Sequence, residues 1–457
     1  MFGPHPLIRI MSTTRGTSTL TITKQVSTTT TAVTVNPFGE SLGSTTTHYF
    51  CLNLAAGLYC GFFMVLDRTQ LYFDLYDAFI CAKRHKSKKP YVIKFEKKLK
   101  KNLLELADEL LERRYKPQPS MCFIVEEPKK REIFAANFRD RIVHHLYYNY
   151  TYDLFNSTFI EDSYSCRKGK GTHYGIHRLE KHIRQESENY TKGVYVLKMD
   201  IKGYFIHINR LILLKIVNDC LDKMKTHKTS KNDVTWGEKL DYDFVKYLGE
   251  VIIMLNPTKN CLIKGDKSDW DDLPDSKSLF KTKPNCGLPI GNLTSQLFSN
   301  VYLNVFDQFM KRSLRCKHYG RYVDDFYVVS SNKRFLKDII GKISIFIKNE
   351  LDLEIQGKKT HVINIKQGIE FLGGFVKPYR TYLSNKSIRR INRSLYNFQH
   401  YGTDKDIENM VNSYLGTFSH WKSNGMKKKC MDKTDRLSRI GRFCGYYEKY
   451  VLIAEKC

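Results

Sequence analysis

The chain has 457 residues, of which 42% are hydrophobic and 13% aromatic. That excludes a disordered chain and leaves room for two or three domains with cores of their own. Its 75 Lys and Arg against 47 Asp and Glu give a formal charge of +28, spread along the sequence; this points to a polyanionic partner, nucleic acid first, with a solubility charge or a basic tail as the plainer alternatives. Twelve cysteines are scattered without a single Cys-x-x-Cys pair, which leaves zinc knuckles and thioredoxin chemistry without support and suggests a reducing, cytoplasmic setting.

In chain order, residues 12–47 hold 19 Ser and Thr in 36 positions, a low-complexity segment with no means of building a core. Residues 49–66 run for 18 positions without a charge, just reaching the length of a membrane span, but Asn53, Gly57 and Gly61 weaken that reading. Residues 1–69 are therefore expected to be a disordered extension or the product of an upstream start, with Met64 directly before the part that looks globular. No membrane partner is favoured. From residue 91 to 115 the spacing of Leu99, Leu103, Leu106 and Leu110 predicts one charged helix, stopped by Pro117 and Pro119. A second helix is predicted over 138–155, with Ile142, Val143 and Leu146 inward and His144 and His145 as core or surface histidines without a metal partner.

Residues 193–205 alternate from Val194 and read as a strand ending at Asp200. A helix over 208–224 and a loop-rich stretch over 256–286 follow. The sequence CGLPIGNLTSQLFSNVYL at 286–303 opens as a glycine-bracketed loop and turns into a helix running to about 315. YGRYVDDFYVVS at 319–330 places Asp324 and Asp325 at the tip of a predicted hairpin. A helix over 333–350, strands near 353–365 and IEFLGGFV at 369–376 complete the ordered part. The last segment, 377–457, carries 17 Lys and Arg against 7 Asp and Glu and reads as a basic helical module.

Three carboxylates interrupt otherwise apolar strands: Asp200, Asp324 and Asp325. Adjacent carboxylates near a core are costly unless a cation neutralises them. Two hard divalent ions, Mg2+ with Mn2+ as a substitute, would do so and would support an in-line phosphoryl displacement.

YVDD within RYVDDFYVVS resembles the signature of reverse transcriptases, and MDIKGYF resembles their first carboxylate motif. KKREIFAANFRDRIVHHLYYNY, DSYSCRKGKGTHYGIHRL, DWDDLPDSKSLF, GLPIGNLTSQLFSNVYL and GIEFLGGFVKP follow the order found in one branch, the reverse transcriptases of diversity-generating retroelements. The resemblance covers roughly residues 70–425. It implies an α+β, right-hand polymerase: fingers over 70–192 with the start of the palm, a ferredoxin-like palm over 193–376, and a helical basic thumb over 377–457.

The same resemblance assigns the two metals to Asp200 and Asp324 with the carbonyl of Ile201, assisted by Asp325. Phe205 matches a steric gate against the 2′-hydroxyl, with ordinary core packing as the alternative. Lys129, Lys130 and Arg131 match the segment that grips the triphosphate, Arg131 being the preferred contact. Lys359 resembles the lysine near the leaving pyrophosphate, with a solvated surface lysine as the alternative. Arg167, Lys168 and Lys170, between glycines, fit a template-phosphate contact. Phe371, Leu372, Gly373 and Gly374 match the primer grip. Tyr396, Tyr401, Tyr414 and Trp421 lie in the expected thumb, which would hold an RNA–DNA hybrid by shape.

Two positions depart from most reverse transcriptases. Ile290 stands where Gln is usual, and Ser295-Gln296 replaces Ser-Pro. Ile290, Gly291 and Gln296 are thus expected beside the incoming nucleotide, where an aliphatic side chain would loosen selection, the alternative being packing beneath Phe205. The family implies copying of a template-repeat RNA with errors at adenines, from dNTPs, together with a small basic accessory variability determinant. A group II intron or retron-type reverse transcriptase without adenine-directed mutagenesis is the rival, and an inactive RNA-binding scaffold is the reading from another class.

Overall fold

The computed structural model describes residues 66–126, 129–229, 234–421, 424–432 and 435–453, and the backbone of two earlier strands. Two compact units divide at Phe62/Phe63. In the first, β1 (Leu20–Val26) and β2 (Thr29–Val35) pair antiparallel, Leu20 opposite Val35. The rest of the Ser/Thr-rich segment and the apolar run up to Val65 lie outside the described residues. No described helix is long and apolar enough to cross a membrane.

In the second unit, α1 (Arg68–Lys83) starts at Asp67, whose side chain caps Gln70 N. The single helix expected over 91–115 is two, α2 (Pro90–Glu96) and α3 (Leu99–Leu111). Phe95 turns inward against Phe79 and Phe138, with ring centroids at 6.1 and 5.4 Å, and Asn102 Nδ2 donates to the Phe95 carbonyl at 2.8 Å where the ladder breaks. Burial of an aromatic ring outweighs the helix propensity of the Lys-rich joint. Next come β3 (Ser120–Val125), β4 (Arg131–Ala135), α4 (Phe138–Thr158) and α5 (Thr172–Glu186). His144 on α4 is buried and bonded to Thr294 Oγ1, and burial, then His145, pushes its imidazole down to about 4. It is a neutral core histidine.

The chain continues through β5 (Tyr195–Asp200), α6 (Tyr204–His207), α7 (Arg210–Met224), α8 (Trp236–Lys239), α9 (Tyr242–Met254) and β6 (Cys261–Ile263). It then enters α10 (Leu293–Gln308), prolonged by a wider turn over Phe309–Ser313. After these come β7 (His318–Tyr322), β8 (Asp325–Ser330), α11 (Lys333–Leu351), β9 (His361–Asn364), β10 (Ile369–Phe371), β11 (Gly374–Lys377) and β12 (Arg380–Leu383). Helices α12 (Asn385–Tyr401), α13 (Asp404–Ser419), α14 (Asn424–Met431) and α15 (Asp435–Ile440) follow, and the hairpin β13 (Gly441–Cys444) and β14 (Lys449–Leu452) ends the series. Of the strands expected over 353–365 only β9 forms; Ile355 makes a single bridge to Ile201.

The central sheet has the order β7-β8-β5-β9, all antiparallel. Alternation sorts β5 into two faces. Leu197 and Met199 join Phe326 and Val328 in the main core beneath α10 and α11, while Val194 and Val196 join Tyr327 and Val329 in a second cluster under α5 and β10–β11. Lys198 and Asp200 continue that second face beyond the apolar cluster, and a polar site opens there.

A three-stranded sheet has the order β4-β3-β6. Its third strand returns from the loop-rich stretch inside the segment expected to be palm, Ser120 facing Cys261 in parallel. Parallel pairing needs a long connection, here spanning the whole of β5 and its helices, so no local signal marks it. The helices after β12 build their own core from Ile391, Leu395, Ile407, Val411, Leu415 and Tyr450. On α12 the opposite face carries Lys386, Arg389, Arg390, Arg393 and Tyr396, all exposed at helical spacing.

Candidate active site

Asp200 ends β5 and Asp325 begins β8, and the two are direct partners in the ladder. Cross-strand partners point to the same face, so the register alone brings two distant carboxylates side by side. Asp324 occupies the turn between β7 and β8, where its backbone carbonyl accepts Ile201 N at 3.3 Å. The preceding residue, Val323, has φ 56°. A β-branched residue in the left-handed region is strained, and Arg321 Nη1 holds its carbonyl at 3.0 Å.

Burial, and after it the charge of Asp200, pushes the Asp324 carboxyl up to about 6. Burial also raises Asp325, against the opposing pull of Lys198. Lys359 Nζ lies 2.8 Å from Asp200 Oδ2, and Lys198 Nζ lies 3.2 Å from Asp325 Oδ2. Asp200 and Asp325 are each paired with a lysine, and no three Asp, Glu, His or Cys side chains among the described residues stand in ligating geometry. The donor set still fits hard divalent cations: carboxylate oxygens only, a desolvated Asp324 with no ion pair of its own, and Asp325 Oδ1 buried without a hydrogen-bond partner. Ile201 itself is buried directly after Asp200.

Two of the expected nucleotide-binding residues, Phe205 and Ile290, lie on segments joined by backbone hydrogen bonds. Leu288 N donates to the Phe205 carbonyl and Gly287 N to that of Ile208, both at 2.8 Å, which fastens the Leu-Pro-Ile-Gly loop to the segment after Asp200. Phe134 N donates to the Ile290 carbonyl at 3.0 Å and Ala136 N to Asn292 Oδ1 at 3.1 Å, which fastens the same loop to β4. Gly291 has φ 121°, and a Cβ there would stand 3.0 Å from Ile133 Cγ2. Both the backbone conformation and the close approach call for glycine. Phe205 and Ile290 are half-buried; Gln296 is exposed on the first turns of α10. Burial, followed by the charges of Lys386, Lys359, Lys277 and Arg131, lowers Lys129. Cations from separate segments of the chain thus lie near enough to repel one another, a field an anion would relieve. Lys130 instead donates to the Asp271 carbonyl.

The expected strand-binding residues divide. Arg167 spends its guanidinium on Asn156 Oδ1 at 2.8 Å and on the carbonyls of Ile160 and Ser163 at 2.6 and 2.9 Å, so it braces its loop rather than facing outward. Lys170 pairs with Glu161 at 2.9 Å, whereas Lys168 is exposed over the Tyr152 ring. Phe371 is wholly buried against Tyr327, and Gly374 faces inward, where a Cβ would stand 2.7 Å from Trp421 Cη2. Only the turn residues Leu372 (φ 51°) and Gly373 (φ 86°) reach the rim.

Two residues that sequence reasoning passed over belong to the site. Lys198 was hidden as one polar position in an alternating strand, though its i, i+2 spacing to Asp200 was the available signal. Arg321 was overlooked because nothing local shows that its partner is Asp307.

A palm-like antiparallel sheet bearing three acids at one rim, faced by a cationic wall, defines a template-directed nucleotidyl-transfer polymerase of right-hand fold. The chain belongs to the reverse transcriptase (RNA-dependent DNA polymerase) family, whose model matches residues 117–375. That family uses divalent metal ions. Protein YkfC of Escherichia coli (strain K12) is 24% identical over 302 residues, 59% of this chain and 69% of that protein. Among solved structures, apo telomerase from Candida tropicalis truncated from its C-terminal domain has a TM-score of 0.42 at 15% identity, over 59% of this chain and 56% of that one. Telomerase from Candida albicans with a fragment of telomeric RNA gives 0.39 at 11%, over 71% and 56%. This chain therefore matches little more than half of each telomerase chain.

Proposed function

We propose that the protein copies an RNA template into DNA with two Mg2+ ions, and that it serves a diversity-generating retroelement by misreading adenines. The observation that carries the polymerase reading is the ladder pairing of Asp200 with Asp325, beside Asp324 in the adjoining turn, with Lys359 on Asp200 and the charges of Lys129 and Arg131 felt near Lys359. An RNA-binding scaffold has no use for clustered, desolvated acids. Bound ions would neutralise the acids and polarise the primer hydroxyl and the leaving group. Lys129 and Arg131 grip the triphosphate, Lys359 moves from Asp200 to the pyrophosphate, and Phe205 excludes ribose. Leu372 and Gly373 bear the primer strand, and the α12 face with Lys386, Arg389, Arg390 and Arg393 follows the hybrid backbone. Fingers, palm and thumb are assigned to 70–192, 193–376 and 377–457, the palm segment lending β6 to the fingers. A structured template RNA and a small basic accessory protein complete the system in the cytoplasm.

The adenine-directed errors rest on Ile290. Its carbonyl is bonded to β4 while its side chain remains half-buried, two residues after Leu288, whose backbone is bonded to Phe205. An aliphatic group there makes none of the hydrogen bonds an amide would, a difference worth about 1 kcal/mol, or roughly fivefold in discrimination. Extension of a DNA primer on an RNA template tests both parts. The wild type should extend it and Asp324→Ala/Asp325→Ala should not. Ile290→Gln should lower misincorporation opposite adenine more than opposite other bases. Faithful copying by the wild type would favour a group II intron or retron-type enzyme.

A further inference from the structure

On the second face of β5 the side chains run Val194, Val196, Lys198, Asp200. Lys198 stands at the boundary between the apolar cluster and the carboxylates. Its Nζ donates to the Glu370 carbonyl at 2.9 Å, pairs with Asp325 Oδ2 at 3.2 Å and lies 5.7 Å from the Phe371 ring centroid. Glu370 and Phe371 belong to β10, the strand that leads into the Leu372-Gly373 turn. No other side chain of the described residues is shown bonded both to a catalytic-rim carboxylate and to that hairpin.

The two lysines of the site differ in kind. The Lys359 side chain is 56% exposed and reaches Asp200 alone, whereas that of Lys198 is 23% exposed and fixed on three sides. The first is free to change partners during a cycle. The second is built in, its stem against an aromatic ring and its charge shared between a carboxylate and a carbonyl. Hairpin β10–β11 is otherwise attached to the sheet face through apolar contacts such as Phe371 with Tyr327, which tolerate sliding more readily than a charge-assisted hydrogen bond does.

We propose that Lys198 is a positioning residue that fastens the primer-bearing hairpin to Asp325 and so sets the primer terminus against the reacting carboxylates. The inference rests on the polymerase reading given above. Without this tie the hairpin keeps its apolar seat but loses its register to the rim, and the third carboxylate loses the cation that orients it. The substrate affected is the recessed primer end, not the nucleotide and not the single-stranded template.

The experiment compares wild type, Lys198→Met and Lys198→Arg. The Met variant keeps the stem over Phe371 without the charge, and the Arg variant restores the charge and the donors. In metal-free buffer, fluorescence anisotropy with a recessed RNA–DNA primer-template should give a Kd about tenfold weaker for Lys198→Met. The Kd for single-stranded RNA should stay unchanged, and Lys198→Arg should recover most of the loss. With Mg2+, kcat should fall and the KM for primer-template should rise while the KM for dNTP holds. Equal Kd and KM values for wild type and Lys198→Met would overturn the inference, as would equal losses on single-stranded RNA. A wild type no faster than Asp324→Ala would overturn the polymerase reading and this inference with it. Thermal unfolding of each variant identifies a folding defect; should Lys198→Met not fold, Lys198→Gln replaces it with the same expected outcomes.

Discussion

Arg321 and Asp307 form an ion pair that no water reaches. The guanidinium of β7 meets the carboxylate of α10 through Nη2–Oδ2 at 2.6 Å and Nε–Oδ1 at 2.7 Å. Tyr319 donates to the same carboxylate at 2.6 Å, Nη2 also donates to Ser163 Oγ, and the remaining nitrogen, Nη1, donates to the Val323 carbonyl. The pair is therefore the anchor of the strained turn that carries Asp324. Removing one partner strands a buried charge.

Arg321→Met or Asp307→Leu alone should cost about 3–5 kcal/mol in urea unfolding. The double variant should recover much of that stability, because two apolar side chains leave no unpaired charge. It should nevertheless lose polymerase activity, since nothing then clamps Val323. Full activity in the double variant would show that the turn holds itself.

The carboxyl of Asp324 sits at about 6, above its ordinary value, through burial and then Asp200. Between pH 4 and pH 6 the folded metal-free protein thus holds a proton that the unfolded chain has released, so stability falls as pH rises through that window. A divalent cation, on the proposed function, would bind the ionised cluster and offset the loss. Mg2+ should accordingly raise the Tm more at pH 8 than at pH 5.5, and Asp324→Asn should remove the difference. Differential scanning fluorimetry reads it directly.

On the proposed function, Lys359, which pairs with Asp200, would compete with cations there before serving the leaving group. Lys359→Ala should therefore show two effects of opposite sign: half-activity at a lower Mg2+ concentration, and a kcat lower by about 100-fold if the lysine supplies a proton. An unchanged kcat would reduce Lys359 to a counter-ion.

Gly374 and Trp421 meet where the β10–β11 hairpin, proposed to bear the primer, touches the helical C-terminal module. Gly374→Ala would press a methyl group within 2.7 Å of the indole and 3.0 Å of Ile176 Cδ1. Products on a long RNA template should shorten, and Trp421→Phe, which frees the space, should restore their length in the double variant. Gel analysis of product lengths under a polymerase trap measures both.

The chain was legible wherever chemistry and local order coincide. Alternation placed Asp200 at a strand end, the hairpin pattern placed Asp324 and Asp325 at a tip, and long motifs in series pointed to the family that residues 117–375 match. The sequence leaves His144 open as a core or surface histidine, and the structure places it in the core, bonded to Thr294. Helix continuity was less legible. Lys97 and Lys98 favour a helix locally, but Phe95 finds its place against Phe138 only if the helix breaks.

By itself, then, the sequence marked the three acids and a basic chain through residue type and short-range period, while the polymerase fold was legible only through the resemblance of long motifs to a known family. The tertiary structure decided which cation meets which acid, that Lys359 faces Asp200 and Lys198 faces Asp325. It decided that Arg167 and Phe371 turn inward, that β6 crosses to the fingers, and that Arg321 closes on Asp307. The reason is physical: a strand's period fixes which face a side chain takes, while its partner is chosen by whatever distant segment is packed against that face.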